Sequence, residues 1–495
     1  MNYLLFFTLA INFLCTAQPK NTVRGKIFVD ANNNQKWDIG EQGLSAILVS
    51  NGRDVVLSNK EGIYEIKNIK GNCIFIVKPA QYLSPLKENR PQFFYSNTDD
   101  KKTSYDFPLV KHNEPEDLNI VLLGDPQVNV IDDVHHVNKL VTEELAGKKI
   151  DFIVPLGDLT FDNHDMFKPL SSSLGLIGAP IFNVMGNHDQ NYQANTLNGR
   201  ATDYQNFFGP SYYAFEYGKS LYLVLNNIYP KEDKNYVGKI DEDQYLFLSQ
   251  ILKIMKTKHN TLYVFMHIPA EEMEDTEQLI KLFKDYNNVL VATGHTHTQY
   301  QKSFPREGLQ DVREIVAGAV CGSWWQGPHD SENIPFAYMY DGTPKVYWYL
   351  QTKNNKLTYK VSGRSPDFQM DITVPEINEW DKVLNDLNEP YVYANVFAAK
   401  NDTDVQISFD GEHWKKMYKY DGIAPKLKQL YRLQELGRFS CQNSSAMPNP
   451  KTVSTHLWRF GIPENLPKKT YLVQIKAIDS LTGLNIIGKR VLTIE

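Results

Sequence analysis

The sequence predicts a layered α/β domain flanked on each side by an all-β sandwich domain. Apolar segments of strand length alternate with amphipathic helical segments over residues 117–365, which is typical of layered α/β proteins. Short strand patterns separated by turn residues fill residues 18–112, and strand patterns return over residues 366–495. The 495 residues suffice for three domains of about 150 residues each.

Composition and charge restrict the class of protein. The 52 Lys and Arg residues against 58 Asp and Glu residues give a net charge of −6. A chain with this charge lacks the positive electrostatic potential that binds long polyanions, so a dedicated nucleic-acid-binding protein is not expected. Beyond the first residues, no apolar run reaches the roughly 18–20 residues that cross a bilayer, so no transmembrane helix is expected. Three later cysteines are predicted to be unpaired thiols: Cys73, Cys321 and Cys441.

The first 17 residues are typical of an export signal. Residues 3–14 form an apolar stretch of suitable length, and Cys15-Thr16-Ala17 places small side chains at the cleavage-determining positions. The segment lacks the usual Lys or Arg before this stretch, and Cys15 also suggests a lipid anchor, although Phe13 and Leu14 are bulkier than such a signal requires. The sequence therefore predicts a signal peptide over residues 1–17 and a periplasmic, extracellular or cell-surface protein.

The N-terminal β-sandwich, residues 18–112, contains an Asp- and Asn-rich loop. Its strand candidates are residues 23–29, 46–50, 55–58, 63–66 and 74–78. Six loop residues fall at the ligand positions of an EF-hand-type calcium loop: Asp30, Asn32, Asn34, Lys36 through its carbonyl, Asp38 and Glu41. The usual glycine at the sixth position is Gln35, and no flanking helices are predicted. A calcium site and a solvated, Asx-rich loop both remain open.

The other two domains follow a polar joint at residues 111–117. The strand candidates of the α/β domain are residues 118–123, 152–156, 180–185, 221–225, 261–266 and 289–293, and residues 132–145 and 242–256 have helical spacing. The strand candidates of the C-terminal β-sandwich are residues 392–398, 404–409, 470–478 and 489–494.

Polar side chains follow five strand candidates of the α/β domain. They are Asp125 and Gln127, Asp158, Asn187, His267, and His295 with His297. In open α/β sheets, ligands bind beyond the carboxyl ends of the strands, so these seven side chains are expected at one rim. Glycine precedes the polar residue after four of the five strands, which lets the backbone turn tightly there.

The residue types indicate a metal centre. Imidazole, carboxylate and amide oxygen without thiolate suit Mn²⁺, Fe²⁺, Zn²⁺ or Mg²⁺. Seven ligands exceed one tetrahedral ion but suit two ions that share a carboxylate, about 3.5–4 Å apart. Such a pair yields a bridging hydroxide as nucleophile and stabilises the attacking and leaving oxygens of a displacement at phosphorus. His188, next to Asn187, is expected to face the site as the general acid without binding metal.

The ordered motifs resemble those of the calcineurin-like metallophosphoesterase superfamily. They are Asp125-x-Gln127, Gly157-Asp158, Gly186-Asn187-His188-Asp189, His267 and Gly294-His295-x-His297. The resemblance covers residues 117–345, and residues 322–325 and 394–417 resemble secreted bacterial members that carry an N-terminal and a C-terminal β-domain. It implies a four-layer αββα sandwich with a dinuclear centre at one edge.

The resemblance also implies a role for each side chain. The first metal would be held by Asp125, Gln127, Asp158 and His297. The second would be held by Asn187, His267 and His295, with Asp158 as the bridge.

Two positions depart from the pattern of many members. Gln127 stands where many have His, and its harder amide oxygen favours Mn²⁺ or Mg²⁺ at the first site. In protein-phosphatase relatives, an Asp three residues after the bridging Asp orients the catalytic His, whereas here Asp162 lies four residues after Asp158. Asp162 as the partner of His188 and Asp162 as a loop cap both remain open.

Two tryptophans follow the last metal motif. Trp324 and Trp325 come after a strand candidate at residues 316–322. They fit either a stacking platform for a sugar, base or lipid headgroup or packing against the C-terminal β-domain.

Together these features predict an exported, metal-dependent hydrolase of phosphoric esters, a phosphatase or a phosphodiesterase. Its substrate would be a phosphorylated small molecule, glycan or lipid headgroup. One alternative is a non-catalytic surface protein that binds glycan or calcium, but such a protein is expected to have lost the bridging Asp or a metal-binding His, and this chain keeps both. The other is an extracellular nuclease or nucleotide pyrophosphatase, although a nuclease would be expected to carry a basic groove.

Overall fold

The computed structural model describes residues 22–69, 71–96, 104–232, 234–375, 390–438, 446–480 and 482–495. The predicted signal peptide and Cys441 lie outside these ranges. The predicted fold class is confirmed, since mixed α/β layers lie between two sets of β-sheets. Within the described ranges, every helix is too short or too polar to span a membrane.

The N-terminal region consists of two four-stranded sheets. The first is, in spatial order, Ile63–Lys67, Thr22–Val29, Phe107–Lys111 and Tyr82–Leu83. The second is Val55–Leu57, Leu48–Ser50, Ile74–Ile76 and Phe94–Tyr95, and a short hairpin joins Leu86–Lys87 to Arg90–Pro91. Their inward side chains, such as Ile27 and Phe75, are buried. Buried and exposed residues alternate at period two in Thr22–Val29 and Ile63–Lys67, which explains why these two strands were predictable, whereas Leu48–Ser50 and Ile74–Ile76 are buried throughout.

Two sheets face each other in the central region. One is Phe152–Pro155, Asn119–Leu123, Val346–Gln351 and Lys356–Val361 in spatial order. The other is Tyr213–Tyr217, Ser220–Val224, Thr261–Phe265, Asn288–Thr293, Val312–Ala317 and Gln299–Phe304. The Phe152 ring of the first sheet lies 5.5 Å from Phe215 and 5.2 Å from Tyr222 of the second. A two-stranded ribbon, Ile228–Pro230 with Tyr236–Gly238, lies beside them.

Helices complete the layers. They are Ile131–Val137, Glu143–Leu145, Phe167–Gly175, Leu197–Arg200, Thr202–Phe208, Glu242–Met255 and Thr276–Leu282, with 3₁₀ turns at His164–Met166, Asn187–Asp189, Ala270–Glu272, Phe283–Asp285 and Thr352–Asn354. Asp241 caps the start of helix Glu242–Met255 by accepting a hydrogen bond from the Gln244 backbone at 3.1 Å. The predicted helix at residues 132–145 is interrupted by a π-helical turn, Asn138–Thr142.

The predicted strand at residues 180–185 is wrong as a regular strand. The segment makes only an isolated bridge between Ile181 and Ile153. It still runs beside the edge strand, because Ile153 donates to the Pro180 carbonyl at 2.8 Å and Val184 donates to the Pro155 carbonyl at 3.0 Å. Pro180 has no N–H to extend the ladder. The segment nevertheless carries the following Asn-His-Asp motif to the same edge.

The described residues of the C-terminal region form two further four-stranded sheets and one helix. The sheets are Met370–Thr373, Tyr391–Val396, Leu457–Gly461 and Tyr418–Lys419, and Lys415–Lys416, Asp404–Ser408, Thr470–Asp479 and Leu484–Thr493. The strand predicted at residues 489–494 is therefore part of a longer one. The helix Pro425–Glu435, absent from the sequence prediction, buries Leu427 and Leu430.

The polar joint contains a buried ion pair that fastens the N-terminal sheets to the centre. The Lys78 ammonium donates to Glu114 Oε1 at 2.5 Å and to the Glu216 carbonyl at 2.7 Å. Both side chains of the pair are fully buried. Burial lowers the pKa of Lys78, and the Glu114 carboxylate offsets part of that effect.

Lys78→Met is expected to lower the free energy of unfolding by about 3–5 kcal/mol, because it leaves the Glu114 carboxylate buried and unpaired. Urea unfolding followed by circular dichroism measures the change. Lys219→Met is the matched control, since it breaks an exposed Lys219–Glu116 pair in the same region and should cost about 0–1 kcal/mol. Equal losses in both variants would contradict a stabilising role for the buried pair.

Candidate metal centre

The seven predicted metal-binding side chains meet at the carboxyl ends of strands from both central sheets. Asp125 and Asp158 follow strands Asn119–Leu123 and Phe152–Pro155 of one sheet, and His267 follows Thr261–Phe265 of the other. Six of the seven are buried, and His295 is partly exposed. The parallel strands of two facing sheets therefore bring their polar ends to one site.

One half of the site is a compact cluster around His267. Its Nε2 lies 3.2 Å from Asp158 Oδ1, 3.0 Å from Asn187 Oδ1 and 3.2 Å from His295 Nδ1. One ligand atom from each of Asp158, His267 and His295 lies within 4.8 Å of the others. These donor atoms fit a single divalent ion.

The protonation pattern of His267 shows why a cation suits this cluster. Its Nδ1 lies 2.9 Å from the Leu156 carbonyl and donates to it. In the neutral ring the Nε2 lone pair then faces two oxygen acceptors, on Asn187 and Asp158, which is unfavourable unless a proton or metal lies between them. Burial lowers the pKa of His267, but Asp158 and Asp125 outweigh burial and raise it to about 9.

The other half of the site contains Asp125, Gln127 and His297. Gln127 Nε2 donates to Asp158 Oδ2 at 3.2 Å, and His297 Nε2 lies 3.9 Å from Asp125 Oδ1. Burial raises the pKa of the Asp125 carboxyl group to about 8. A cation bound beside it would stabilise the charged form. Gln127 must rotate its amide by half a turn to present its oxygen to a metal. Asp158 thus directs one oxygen toward each half of the site.

The backbone at the centre adopts conformations that L-residues rarely take. The φ angles are +38° at Asp125, +44° at Gln127, +47° at Asp158, +76° at His295 and +49° at His297. Each such residue costs about 1–3 kcal/mol and persists only where the surrounding structure imposes it. Such strain clusters at functional sites.

Two glycines make this close packing possible. A Cβ added at Gly186 would lie 1.8 Å from the Asp158 backbone nitrogen, and one added at Gly157 would lie 2.5 Å from His267 Nδ1. Only glycine therefore fits at these positions, which explains the glycines before the polar residues in the sequence.

His188 lies beside the centre and contacts Asp162. Its Nδ1 is 2.9 Å from Asp162 Oδ1, and its ring stacks on Phe161 at 4.5 Å. The additional residue between Asp158 and Asp162 is accommodated by a left-handed φ of +63° at Asp162. Of the two sequence alternatives, this geometry favours the partner role, since Nδ1–H donation to Asp162 leaves Nε2 for a substrate.

Two buried supports were not assigned roles from the sequence. Asp189 accepts hydrogen bonds from the backbones of Gly186 at 2.8 Å, Leu159 at 3.1 Å and Thr160 at 3.0 Å, so it ties the two ligand loops together. Asn227 accepts from the His267 backbone at 3.3 Å. Asp189 lies in a recognised motif, whereas no sequence signal marks Asn227.

The two tryptophans have different environments. Trp324 is 40% exposed, and its ring lies 5.4 Å from His297. Trp325 is buried, and its Nε1 donates to the Pro126 carbonyl at 3.1 Å. The preceding strand ends at Ala317, so both follow a turn rather than a strand. A stacking role for the exposed Trp324 therefore stays a prediction, while the structure favours a packing role for Trp325 against the Asp125 loop.

The Asp- and Asn-rich loop gathers most of its predicted ligands by hydrogen bonds within the loop. Asp38 Oδ2 accepts from Asn32 at 2.8 Å and from Asn34 at 2.7 Å. The Glu41 carboxylate accepts from the backbones of Ala31 at 2.9 Å and Asp38 at 3.1 Å. Asp30 is buried at the start of the loop, while Lys36 is exposed. This geometry fits both an ion site and a self-satisfied Asx-rich loop.

Matches to family models support the assignment of this site to a phosphoesterase. Three family models match: the N terminal of calcineurin-like phosphoesterase over residues 31–112, calcineurin-like phosphoesterase over residues 118–299, and the C terminal of calcineurin-like phosphoesterase over residues 314–483. A comparison with curated proteins finds no match. Among solved structures, a metallophosphoesterase from Sphaerobacter thermophilus is 15% identical over 49% of this chain and 87% of that chain, with a TM-score of 0.24.

Proposed function

The chain belongs to the calcineurin-like phosphoesterase superfamily, whose members hydrolyse phosphoesters with metal ions, and we propose that it is a phosphoric ester hydrolase with a dinuclear centre. The observation that carries this proposal is the position of Asp158, which directs Oδ1 toward His267 and Oδ2 toward Gln127. One carboxylate shared between two donor sets is what a two-ion centre requires.

The first ion would be held by Asp125, Gln127, Asp158 and His297, and the second by Asp158, Asn187, His267 and His295. Two divalent ions bound there would supply an activated water and neutralise charge on the phosphoryl group. The donor set without thiolate suits Mn²⁺, Fe²⁺, Zn²⁺ or Mg²⁺.

Three residues around the ions would transfer the proton, orient the proton donor and contact the substrate. Water attacks phosphorus as the bond from phosphorus to the leaving oxygen breaks, and His188 Nε2 gives its proton to that oxygen. The proton that the water loses passes to solvent, from which His188 is reprotonated. Asp162 holds the His188 ring with Nδ1–H directed toward the carboxylate, 2.9 Å away. Trp324, whose ring lies 5.4 Å from His297, would contact the bound substrate.

Hydrolysis of p-nitrophenyl phosphate and bis-p-nitrophenyl phosphate, with Mn²⁺, Mg²⁺, Zn²⁺ and Fe²⁺ in turn, tests this proposal. We expect metal-dependent release of nitrophenol from at least one substrate, abolished by a chelator. The relative rates would distinguish a phosphatase from a phosphodiesterase. No turnover of either substrate with two ions bound would favour the non-catalytic binding protein.

Gln127→His is expected to retain activity but to shift the metal preference toward Zn²⁺, because imidazole nitrogen is a softer ligand than amide oxygen. Activity profiles with Mn²⁺, Mg²⁺ and Zn²⁺ measure the shift. Gln310→His, at an exposed loop position outside the predicted ligand set, is the matched control. An unchanged metal profile in Gln127→His would mean that Gln127 does not bind metal.

Two further predictions accompany this function. The first is a calcium ion in the loop formed by Asp30, Asn32, Asn34, Lys36, Asp38 and Glu41, supported by the EF-hand-like spacing. The second is export of the protein to the periplasm, cell surface or exterior, supported by the signal pattern of residues 1–17.

A further inference from the structure

A polar cavity of about 490 Å³ lies beside the proposed general acid. Its size is within the range of about 300–1,000 Å³ that is common for small-molecule sites. The lining residues used below are Asp162, His164, Gln190, Tyr192, Asp203 and Lys234.

The cavity is on the side where the leaving group must lie. Its wall includes Asp162, which contacts His188 at 2.9 Å. Tyr192 Oη and Gln190 Nε2 both donate to the Asn187 carbonyl, at 2.8 and 3.2 Å. The segment from Asn187 to Tyr192 therefore contributes to both the metal centre and the cavity wall. Because a general acid protonates the leaving oxygen, the group attached to that oxygen extends from His188 toward this cavity.

Two polar side chains of the wall have atoms without partners. Gln190 is only 2% exposed, and among the described residues its Oε1 has no hydrogen-bond partner. His164 Nδ1 lies 3.2 Å from Asp203 Oδ2, while its buried Nε2 has no partner among the described residues. Native proteins leave few buried polar groups unsatisfied, so these atoms indicate a ligand that can hydrogen-bond.

The charges of the wall restrict that ligand. The carboxylates of Asp162 and Asp203 disfavour a second phosphate, and the exposed Lys234 is the single cationic side chain among the described lining residues. Every side chain of the wall carries a polar group, which suits a hydroxyl-rich ligand better than a wholly alkyl one. Carboxylate and amide oxygens instead accept hydrogen bonds from hydroxyl groups.

We propose that this cavity binds the uncharged, hydroxyl-rich leaving alcohol of the phosphoric ester, such as the sugar or polyol part of a sugar phosphate. The proposal rests on the proposed phosphoesterase function, and it makes His164, Gln190 and Asp203 specificity-determining residues. A site built to hydrogen-bond substrate hydroxyls rejects analogues that lack them.

The test compares kcat/KM for glucose 6-phosphate and cyclohexylmethyl phosphate, in the metal-loaded full-length protein and its variants. We expect the wild type to favour glucose 6-phosphate. Asp203→Asn should reduce that preference about tenfold, the difference between a hydrogen bond to a charged carboxylate and one to a neutral amide oxygen. The intrinsic reactivities of the two esters cancel when the ratios of variant and wild type are compared. His164→Phe, which can keep the ring stacked on Phe167 at 4.8 Å, is expected to reduce the preference similarly.

Asp165→Asn is the matched control, since Asp165 is exposed in the same segment but does not line the cavity. Its substrate ratio should equal that of the wild type. Turnover of p-nitrophenyl phosphate with unchanged ratios in Asp203→Asn and His164→Phe would overturn the cavity proposal while leaving the hydrolase intact. No turnover of any ester would instead overturn the proposed function.

Discussion

Asp158→Asn is expected to lose both metal ions and the phosphoesterase activity together. Asp158 Oδ1 lies 3.2 Å from His267 Nε2, and Oδ2 lies 3.2 Å from Gln127 Nε2, so one carboxylate serves both donor sets. An asparagine offers one oxygen and no charge. The loss of several kcal/mol of transition-state stabilisation, at about 1.4 kcal/mol per factor of ten, should lower kcat/KM by about 10³-fold or more.

The fold should survive this substitution. The amide oxygen of the new side chain could still accept the hydrogen bond that the His188 backbone donates to Asp158 at 2.9 Å. Elemental analysis of the purified variant measures bound metal, and circular dichroism checks the fold. Asp165→Asn, at an exposed carboxylate outside the centre, should keep both ions. Two ions still bound to Asp158→Asn would contradict the bridging assignment.

The C-terminal sheets also contribute to the geometry of the centre. His456, fully buried directly before strand Leu457–Gly461, places Nε2 3.2 Å from Asp341 Oδ2. That carboxylate accepts from the Gln299 backbone at 2.7 Å, and the adjacent Tyr340 backbone donates to the His297 carbonyl at 3.2 Å. The segment that carries His297 is therefore held between the centre and the C-terminal sheets. This gives the C-terminal region a positioning role in addition to its own fold.

The strand ends of the centre could be predicted because they depend on local patterns. A buried strand is an apolar run, and a tight turn beside a site needs glycine, as at Gly157 and Gly186. The segment at residues 180–185 has the same apolar pattern, but its hydrogen bonding is limited by Pro180 and by its edge position. Composition alone does not distinguish these two cases.

Contacts between distant segments could not be predicted from the sequence. Asn227 supports the His267 backbone, and Asp341 meets His456 across 115 residues. Such pairs have no fixed spacing, since they depend on how separate elements pack. The Asp162–His188 contact was left open for the same reason, because the left-handed φ at Asp162 that allows it is not visible in residue spacing.

His188→Ala is expected to slow hydrolysis of alkyl phosphate esters about 10²–10⁴-fold, the usual contribution of a general acid. The loss on nitrophenyl esters should be much smaller, because nitrophenolate leaves without a proton whereas an alkoxide does not. Both metals should remain bound, since the His188 backbone N–H that donates to Asp158 is kept in alanine. Parallel kcat/KM measurements on glucose 6-phosphate and p-nitrophenyl phosphate, with elemental analysis, test this.

Asp162→Asn is the companion variant that separates orientation from proton transfer. It keeps a hydrogen-bond acceptor for His188 Nδ1–H but removes the charge, so it should show the same bias against alkyl esters with a smaller loss than His188→Ala. Equal losses of His188→Ala on both substrate types would mean that His188 stabilises charge on the transferring phosphoryl group instead. Loss of metal in His188→Ala would make His188 a ligand and would contradict the arrangement of the loop from Gly186 to Asp189, in which Asn187 faces His267 and His188 faces Asp162.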